Sequence, residues 1–216
     1  MTVPTTGLLD GPGFEQATRS LLDDNAELHS LVKIAVVGRE KAGKSALIRT
    51  LCGLEPLQNY VETAGIEVQQ LLRGASREDT SAGAQSQGDE MSAPSTSFQF
   101  WEAAGRPSAR FEYLLPSAAS KARLALHVLS LQDRAGFDAL PQQIDDVGTH
   151  VPCLVIATRH DLVYQTAIPD DELRAFCARH RLRLCLIGNP QDQTDEAQQR
   201  RTIVRKYILA EIEKLL

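Results

Sequence analysis

Several features are missing from this sequence, and each absence excludes something. There is no excess of basic charge: 23 lysines and arginines stand against 28 acidic residues, a net charge of −5. A dedicated nucleic-acid binder usually shows a basic face, so no nucleic-acid partner is expected. There is no Cys-x-x-Cys pair. Cys52, Cys153, Cys177 and Cys185 stand alone, each inside a predicted strand or helix. They read as buried thiols of a reducing compartment rather than as disulfides or zinc ligands. No apolar run is long enough to span a bilayer. Met1-Thr2-Val3-Pro4 lacks a signal pattern, and Thr2 stands where myristoylation needs glycine. Lys214-Leu215-Leu216 offers no cysteine for prenylation. The expectation is a soluble, cytoplasmic protein with no membrane anchor of its own. Aromatic content is low, at 5%, but the 43% of apolar residues can fill a core.

What is present centres on Gly38-Arg39-Glu40-Lys41-Ala42-Gly43-Lys44-Ser45, which matches G-x-x-x-x-G-K-[ST]. The apolar, β-branched run at 31–37 reads as a buried strand before it, and 46–51 reads as a helix after it. Strand, glycine-rich turn and helix in that order are the context that marks a P-loop. The glycines let backbone N–H groups curl inward toward phosphate oxygens, and the helix adds its positive end. Lys44 is expected to reach the β- and γ-phosphates, and the Ser45 hydroxyl to hold Mg²⁺. The competing reading, a tight turn that binds nothing, is disfavoured by that context.

The length suits one α/β domain with extensions. Residues 1–13, rich in Pro, Thr and Gly, are expected to be disordered, and 14–30 to hold an extra N-terminal helix. Residues 31–216 form the main domain. Strands are predicted at 65–72, 96–101, 122–131, 151–157 and 182–187, and helices at 136–147, 169–180 and 195–216. The stretch 74–95 is low in complexity and has almost no large apolar residue, so it reads as a disordered insertion. The last helix carries an apolar stripe of Ile203, Val204, Tyr207, Ile208, Ile212 and Leu215. Arg200, Arg201, Arg205 and Lys206 fall outside it, as a solvated face. Six strands alternating with helices imply an α/β fold, a mostly parallel sheet with helices on both faces. Ligands of such sheets sit at the carboxyl ends of the strands, where the P-loop lies.

Three further stretches carry a family resemblance. Thr63-Ala64-Gly65-Ile66-Glu67 resembles the T-x-G-[IV]-[DE] switch I sequence of Rab-type small GTPases, with Thr63 18 positions beyond Ser45. Trp101-Glu102-Ala103-Ala104-Gly105 resembles their W-D-x-x-G switch II motif, with Glu102 for Asp. Thr158-Arg159-His160-Asp161 is similar to their [NT]-K-x-D guanine motif, with Arg159 for Lys. The resemblance implies a Ras-like P-loop GTPase domain that takes GTP or GDP with Mg²⁺. It places the phosphates on Gly38, Lys41, Ala42, Gly43, Lys44, Ser45, Ala46 and Gly105. Mg²⁺ falls to Ser45, Thr63 and, through water, Glu102. Guanine falls to Thr158, Arg159 and Asp161, whose carboxylate would accept from the base's N1 and N2, which adenine cannot match.

The departures from the pattern matter as well. Arg106 stands where the family places the glutamine that positions the attacking water. Glu40 puts a carboxylate near the γ-phosphate position. The S-A-K loop after the sixth strand is not recognisable, and Gly188-Asn189 sits there. No catalytic residue is assigned, and slow intrinsic hydrolysis is expected. Residues 134–141 and 168–176 resemble one branch more than Rabs in general: the Rem- and Rab-like small GTPase of the ciliogenesis and planar polarity effector complex. That resemblance implies cilium assembly and ciliary or vesicular trafficking, protein partners such as Fuzzy- and Inturned-like subunits, and a place at the ciliary base (basal body). Three readings stand at this point: a GTP-dependent switch, a nucleotide-stabilised, non-hydrolysing scaffold subunit, and a P-loop ATPase or kinase, against which Asp161 speaks.

Overall fold

The computed structural model describes residues 30–57, 59–63, 65–73, 96–105, 114–148, 150–188 and 194–216. The expectations for the N-terminal 30 residues, apart from Ser30, and for 74–95 fall outside the described residues, as does Arg106. The chain divides into two compact units, residues 1–31 with 72–97 and residues 32–71 with 98–216. The first lies nearly all outside the described residues, and the second carries the candidate site.

The expected alternation is found. In chain order come β1 (Ser30–Val37), α1 (Lys44–Cys52), β2 (Ile66–Arg73), β3 (Thr96–Ala103), α2 (Leu114–Ala119) and β4 (Leu124–Ser130). Then follow α3 (Arg134–Asp138), α4 (Leu140–Val147), β5 (Cys153–Thr158), α5 (Asp170–Arg179), β6 (Arg183–Leu186) and α6 (Asp195–Glu213). The six strands make one sheet in the order β2-β3-β1-β4-β5-β6. The β1–β4, β4–β5 and β5–β6 pairs are parallel, in registers such as Val36 with Leu126 and Ile156 with Cys185. Parallel pairing brings the turns after Val37, Ser130, Thr158 and Leu186 to one edge.

Side chains alternate across the sheet, because successive Cβ atoms of a strand point to opposite faces. Ile34, Val36, Leu124, Leu126, Leu154 and Ile156 pack on one face with Leu47 and Leu51 of α1 and Ile208 and Ile212 of α6. On the other face Leu129, Val155 and Ala157 meet Phe137 of α3, Leu140 of α4 and Leu173 of α5. Every residue of β4 is buried, as its near-continuous apolar run requires of a strand covered on both sides. Each fully buried Leu or Ile contributes about 2 kcal/mol of burial energy.

Three expectations need correction. The single helix at 136–147 is two, α3 and α4, joined at Ala139. Pro141 has no N–H to donate and its ring crowds the carbonyl of Phe137, so it sits in a first turn instead of a helix interior. In α6 the stripe is rotated: Ile203 is 66% exposed and Tyr207 47% exposed, while Ala197 and Leu209 are buried beside Ile208 and Ile212. The solvated basic face is also smaller than expected. Arg205 turns inward and its Nε donates to the Leu51 carbonyl at 2.9 Å. Among the described residues no helix is long and apolar enough to cross a membrane.

Candidate functional site

The stretch after β1 folds as a phosphate cradle must. Gly43 adopts φ 98° and Lys41 φ 59°, so the chain curls twice within three residues. Gly38 is needed for closeness: a Cβ there would stand 2.2 Å from the Val128 carbonyl oxygen. The Arg39 carbonyl accepts from Ala42 N at 3.3 Å and from Lys44 Nζ at 3.1 Å. The Ala42 N–H, expected among the phosphate donors, is therefore engaged within the loop. α1 begins at Lys44 with no side-chain cap and no acidic residue in its first turn. Its first N–H groups and positive end are left for an anion from elsewhere.

Three segments meet beneath that helix end. The Ser45 hydroxyl donates to Glu102 Oε1 at 2.8 Å, and the Thr63 hydroxyl donates to the same oxygen at 3.2 Å. The two hydroxyl oxygens lie 3.5 Å apart. Lys44 Nζ stands 3.9 Å from Glu102 Oε1, and both side chains are buried. Burial pushes the Lys44 ammonium down from its ordinary range, against the pull of Glu102 and Glu40. Burial likewise pushes the Glu102 carboxyl up, against Lys44 and the two hydroxyls. Each charge is held short of solvation by that burial and is offset only in part by the other. The oxygen donors suit Mg²⁺, a hard cation that keeps several waters and takes few protein ligands. Glu102, where the family pattern has aspartate, places one oxygen on both hydroxyls. Among the described residues no group of three or more His, Cys, Asp or Glu could hold a metal ion.

Above these residues opens a cleft of about 510 Å³, bordered by Lys41, Lys44, Ser45, Thr63, Glu102 and Gly105. Ala46 and Glu40 also line it. Gly105 is tied to the loop, its carbonyl accepting from Glu40 N at 3.1 Å. Tyr60, which no sequence signal singled out, also borders the cleft, with its ring centroid 5.8 Å from Lys41 Nζ.

The residues expected at guanine are placed unequally. Thr158 is buried and its hydroxyl is occupied by the carbonyls of Ala42, at 2.8 Å, and Leu129. It fastens β5 to the P-loop. Arg159 borders the cleft, and its guanidinium donates to Lys41 O, Ser130 Oγ and Gln132 Oε1, all at 3.0 Å. Its fork spans three acceptors where a lysine offers a point charge, and it holds Lys41 in its left-handed conformation. Asp161 is exposed and stands against Gly188, just beyond β6. A further pair that the sequence did not signal is Arg39 with Asp133, at 3.1 Å; Asp133 also caps α3 through Gly136 N.

The sequence model of the Ras of Complex (Roc) domain of DAPkinase matches residues 33–161. A ciliogenesis and planar polarity effector 2 from Mus musculus is 30% identical over 147 residues, covering 67% of this chain and 53% of its own. Its Homo sapiens counterpart is 28% identical over the same coverage, and that of Xenopus laevis 28% over 152 residues, 67% of this chain and 55% of its own. The chain thus spans about half the length of the curated relatives it matches.

Proposed function

Because the chain belongs to the Roc family of Ras-like GTPase domains, we propose that it is a guanine-nucleotide-dependent switch or adaptor, acting through protein partners in cilium assembly. The observation that carries the reading is the meeting of Ser45, Thr63 and Glu102 beneath a buried Lys44, three segments joined at one carboxylate oxygen. Lys44 and the N–H groups at the start of α1 would hold the phosphates. Ser45, Thr63 and Glu102 would hold Mg²⁺, which when bound neutralises charge on the phosphate oxygens. Asp161 would accept from guanine N1 and N2, with Arg159 bracing the loop beneath. Thr63 sits in the loop before β2 and is held there through its side chain by Glu102, so ligand binding would order or release that loop. This is the chemistry of a switch.

Hydrolysis is expected to be slow. Glu40 lines the cleft with a second carboxylate, and Arg106 occupies the position after Gly105. A non-hydrolysing, nucleotide-stabilised scaffold is the second reading, favoured by these same two residues. Fuzzy- and Inturned-like partners and a place at the ciliary base belong to the proposal through the motif resemblance alone; the relatives' names speak only of ciliogenesis and planar polarity.

The test is the nucleotide itself. The full chain, purified under mild conditions with Mg²⁺, should bind GDP and GTP at least 100-fold more tightly than ADP and ATP by titration calorimetry. Equal affinity for ATP would remove the guanine assignment. Single-turnover GTP hydrolysis then separates switch from scaffold: a rate that rises with a protein partner favours the switch, and no cleavage in either condition favours the scaffold.

A further inference from the structure

We propose that Glu40 makes the cleft selective for a diphosphate, because its carboxylate and the backbone it ties to Gly105 occupy the ground that a third phosphate needs; this rests on the guanine-nucleotide reading above. Three placements carry it. The sheet order puts β3 and β5 on opposite sides of β1, so the cleft over the P-loop has a β5 end, with Arg159, and a β3 end, with Glu102 and Gly105. Glu40 is fastened at the β3 end. Its N–H donates to the Gly105 carbonyl at 3.1 Å, and Gly105 presses so close that a Cβ on it would stand 2.4 Å from Glu40 N and 2.5 Å from the Arg39 carbonyl carbon. The half-buried Glu40 side chain borders the cleft with Lys44. Burial pushes the Lys44 ammonium down, and the Glu40 carboxylate joins that of Glu102 in pulling against it.

The donors of the cradle lie elsewhere. The first N–H that α1 satisfies is that of Leu47, from the Gly43 carbonyl at 2.9 Å. Those of Lys44, Ser45 and Ala46 have no acceptor within the helix. With the Lys44 ammonium, they suit the phosphates nearest the start of α1. A nucleotide whose base lies toward β5 runs its phosphates toward β3, so the third in line arrives at Glu40 and Gly105. There it meets a carboxylate, and the Glu40 N–H that could have served it is already given to Gly105. A terminal phosphate carries up to about two negative charges. Like charges at close range in a partly solvated cleft repel one another, and the Glu40 carboxylate already holds ground beside the lysine. A diphosphate stops short of that end.

The experiment titrates the full chain, with Mg²⁺, using GDP, ADP and the β,γ-imido analogue of GTP, whose terminal bond is not cleaved. The wild type should bind GDP at least about tenfold more tightly than the analogue, and the gap should narrow as salt rises, because repulsion in an open cleft is screened. In Glu40→Gln, which keeps the size and the backbone N–H, the ratio should fall to near one, chiefly through tighter binding of the analogue. Glu40→Asp keeps the charge and should keep a gap. The inference is overturned if the wild type holds GDP and the analogue equally, or if Glu40→Gln keeps the wild-type ratio; in either case GDP bound more tightly than ADP leaves the guanine reading standing. If GDP binds no better than ADP, that reading fails and the inference with it. The salt series decides the matter even should Glu40→Gln fold poorly: a gap that does not narrow is not the work of a carboxylate, and overturns its role.

Discussion

His127 offers a test of the core that needs no ligand. It sits in β4 between Val37 of β1 and Val155 of β5 in the sheet register. It is fully buried, and neither ring nitrogen has a hydrogen-bond partner among the described residues. Burial alone holds its pKa down at about 4, against an ordinary 6.5. The sign depends on which state takes the proton. Below pH 6.5 the unfolded chain binds it, while the folded chain refuses it until about pH 4. The stability of the neutral buried ring is therefore fully present above pH 6.5 and is lost as the pH falls toward 4. Proton linkage makes the whole loss about 3 kcal/mol, of which about 2 kcal/mol has gone by pH 5. The assay is urea denaturation of the full chain from pH 7 to pH 5, beside His127→Leu. Carboxylates titrate in both proteins and cancel in the difference. The variant should lose about 2 kcal/mol less than the wild type over that range. At pH 7 it should be at least as stable, since it removes two buried polar atoms without partners, each about 1–3 kcal/mol unfavourable. Parallel pH profiles for the two proteins would refute the reasoning, because they would mean that the ring is solvated or partnered in the native state.

Two further outcomes concern the loop. Lys44→Ala should weaken GDP and GTP at least 100-fold by calorimetry while circular dichroism stays unchanged; unaltered affinity would mean that the cleft is not the nucleotide site. Gly38→Ala places a methyl group 2.2 Å from the Val128 carbonyl oxygen, on backbone that cannot swing aside. It should destabilise the protein by roughly 2–4 kcal/mol, read as the urea midpoint, and an unchanged midpoint would show that the loop can move off β4.

Much of the site was legible in the sequence because its signals are local. The spacing of Gly38, Gly43, Lys44 and Ser45 specifies a loop whose backbone curls and whose helix begins at the lysine. That needs only neighbours in the chain. The apolar run of β4 likewise declares a strand buried on both faces. Proline is excluded from a helix interior, so Pro141 is compatible with a break or with a first turn, and the rule is silent about which, since it says nothing of what precedes it.

What remained was decided by contact across the fold. In α6, Ile203 and Tyr207 form one apolar row, and Val204 and Ile208 the adjoining one. Helical periodicity cannot rank two adjacent apolar rows; the sheet did, burying Ile208 and exposing Ile203. The same rotation took Arg205 to the Leu51 carbonyl and Arg201 to the cavity beside Gly188. Thr158 matched a guanine motif in sequence, yet its hydroxyl faces Ala42, 116 residues away. Glu102 met Ser45 and Thr63 across separations of 57 and 39 residues. Chain order alone determined the phosphate cradle, because its geometry is a property of eight consecutive residues. Only the tertiary structure decided which distant side chains share one carboxylate oxygen, because burial and charge act through space and not along the chain.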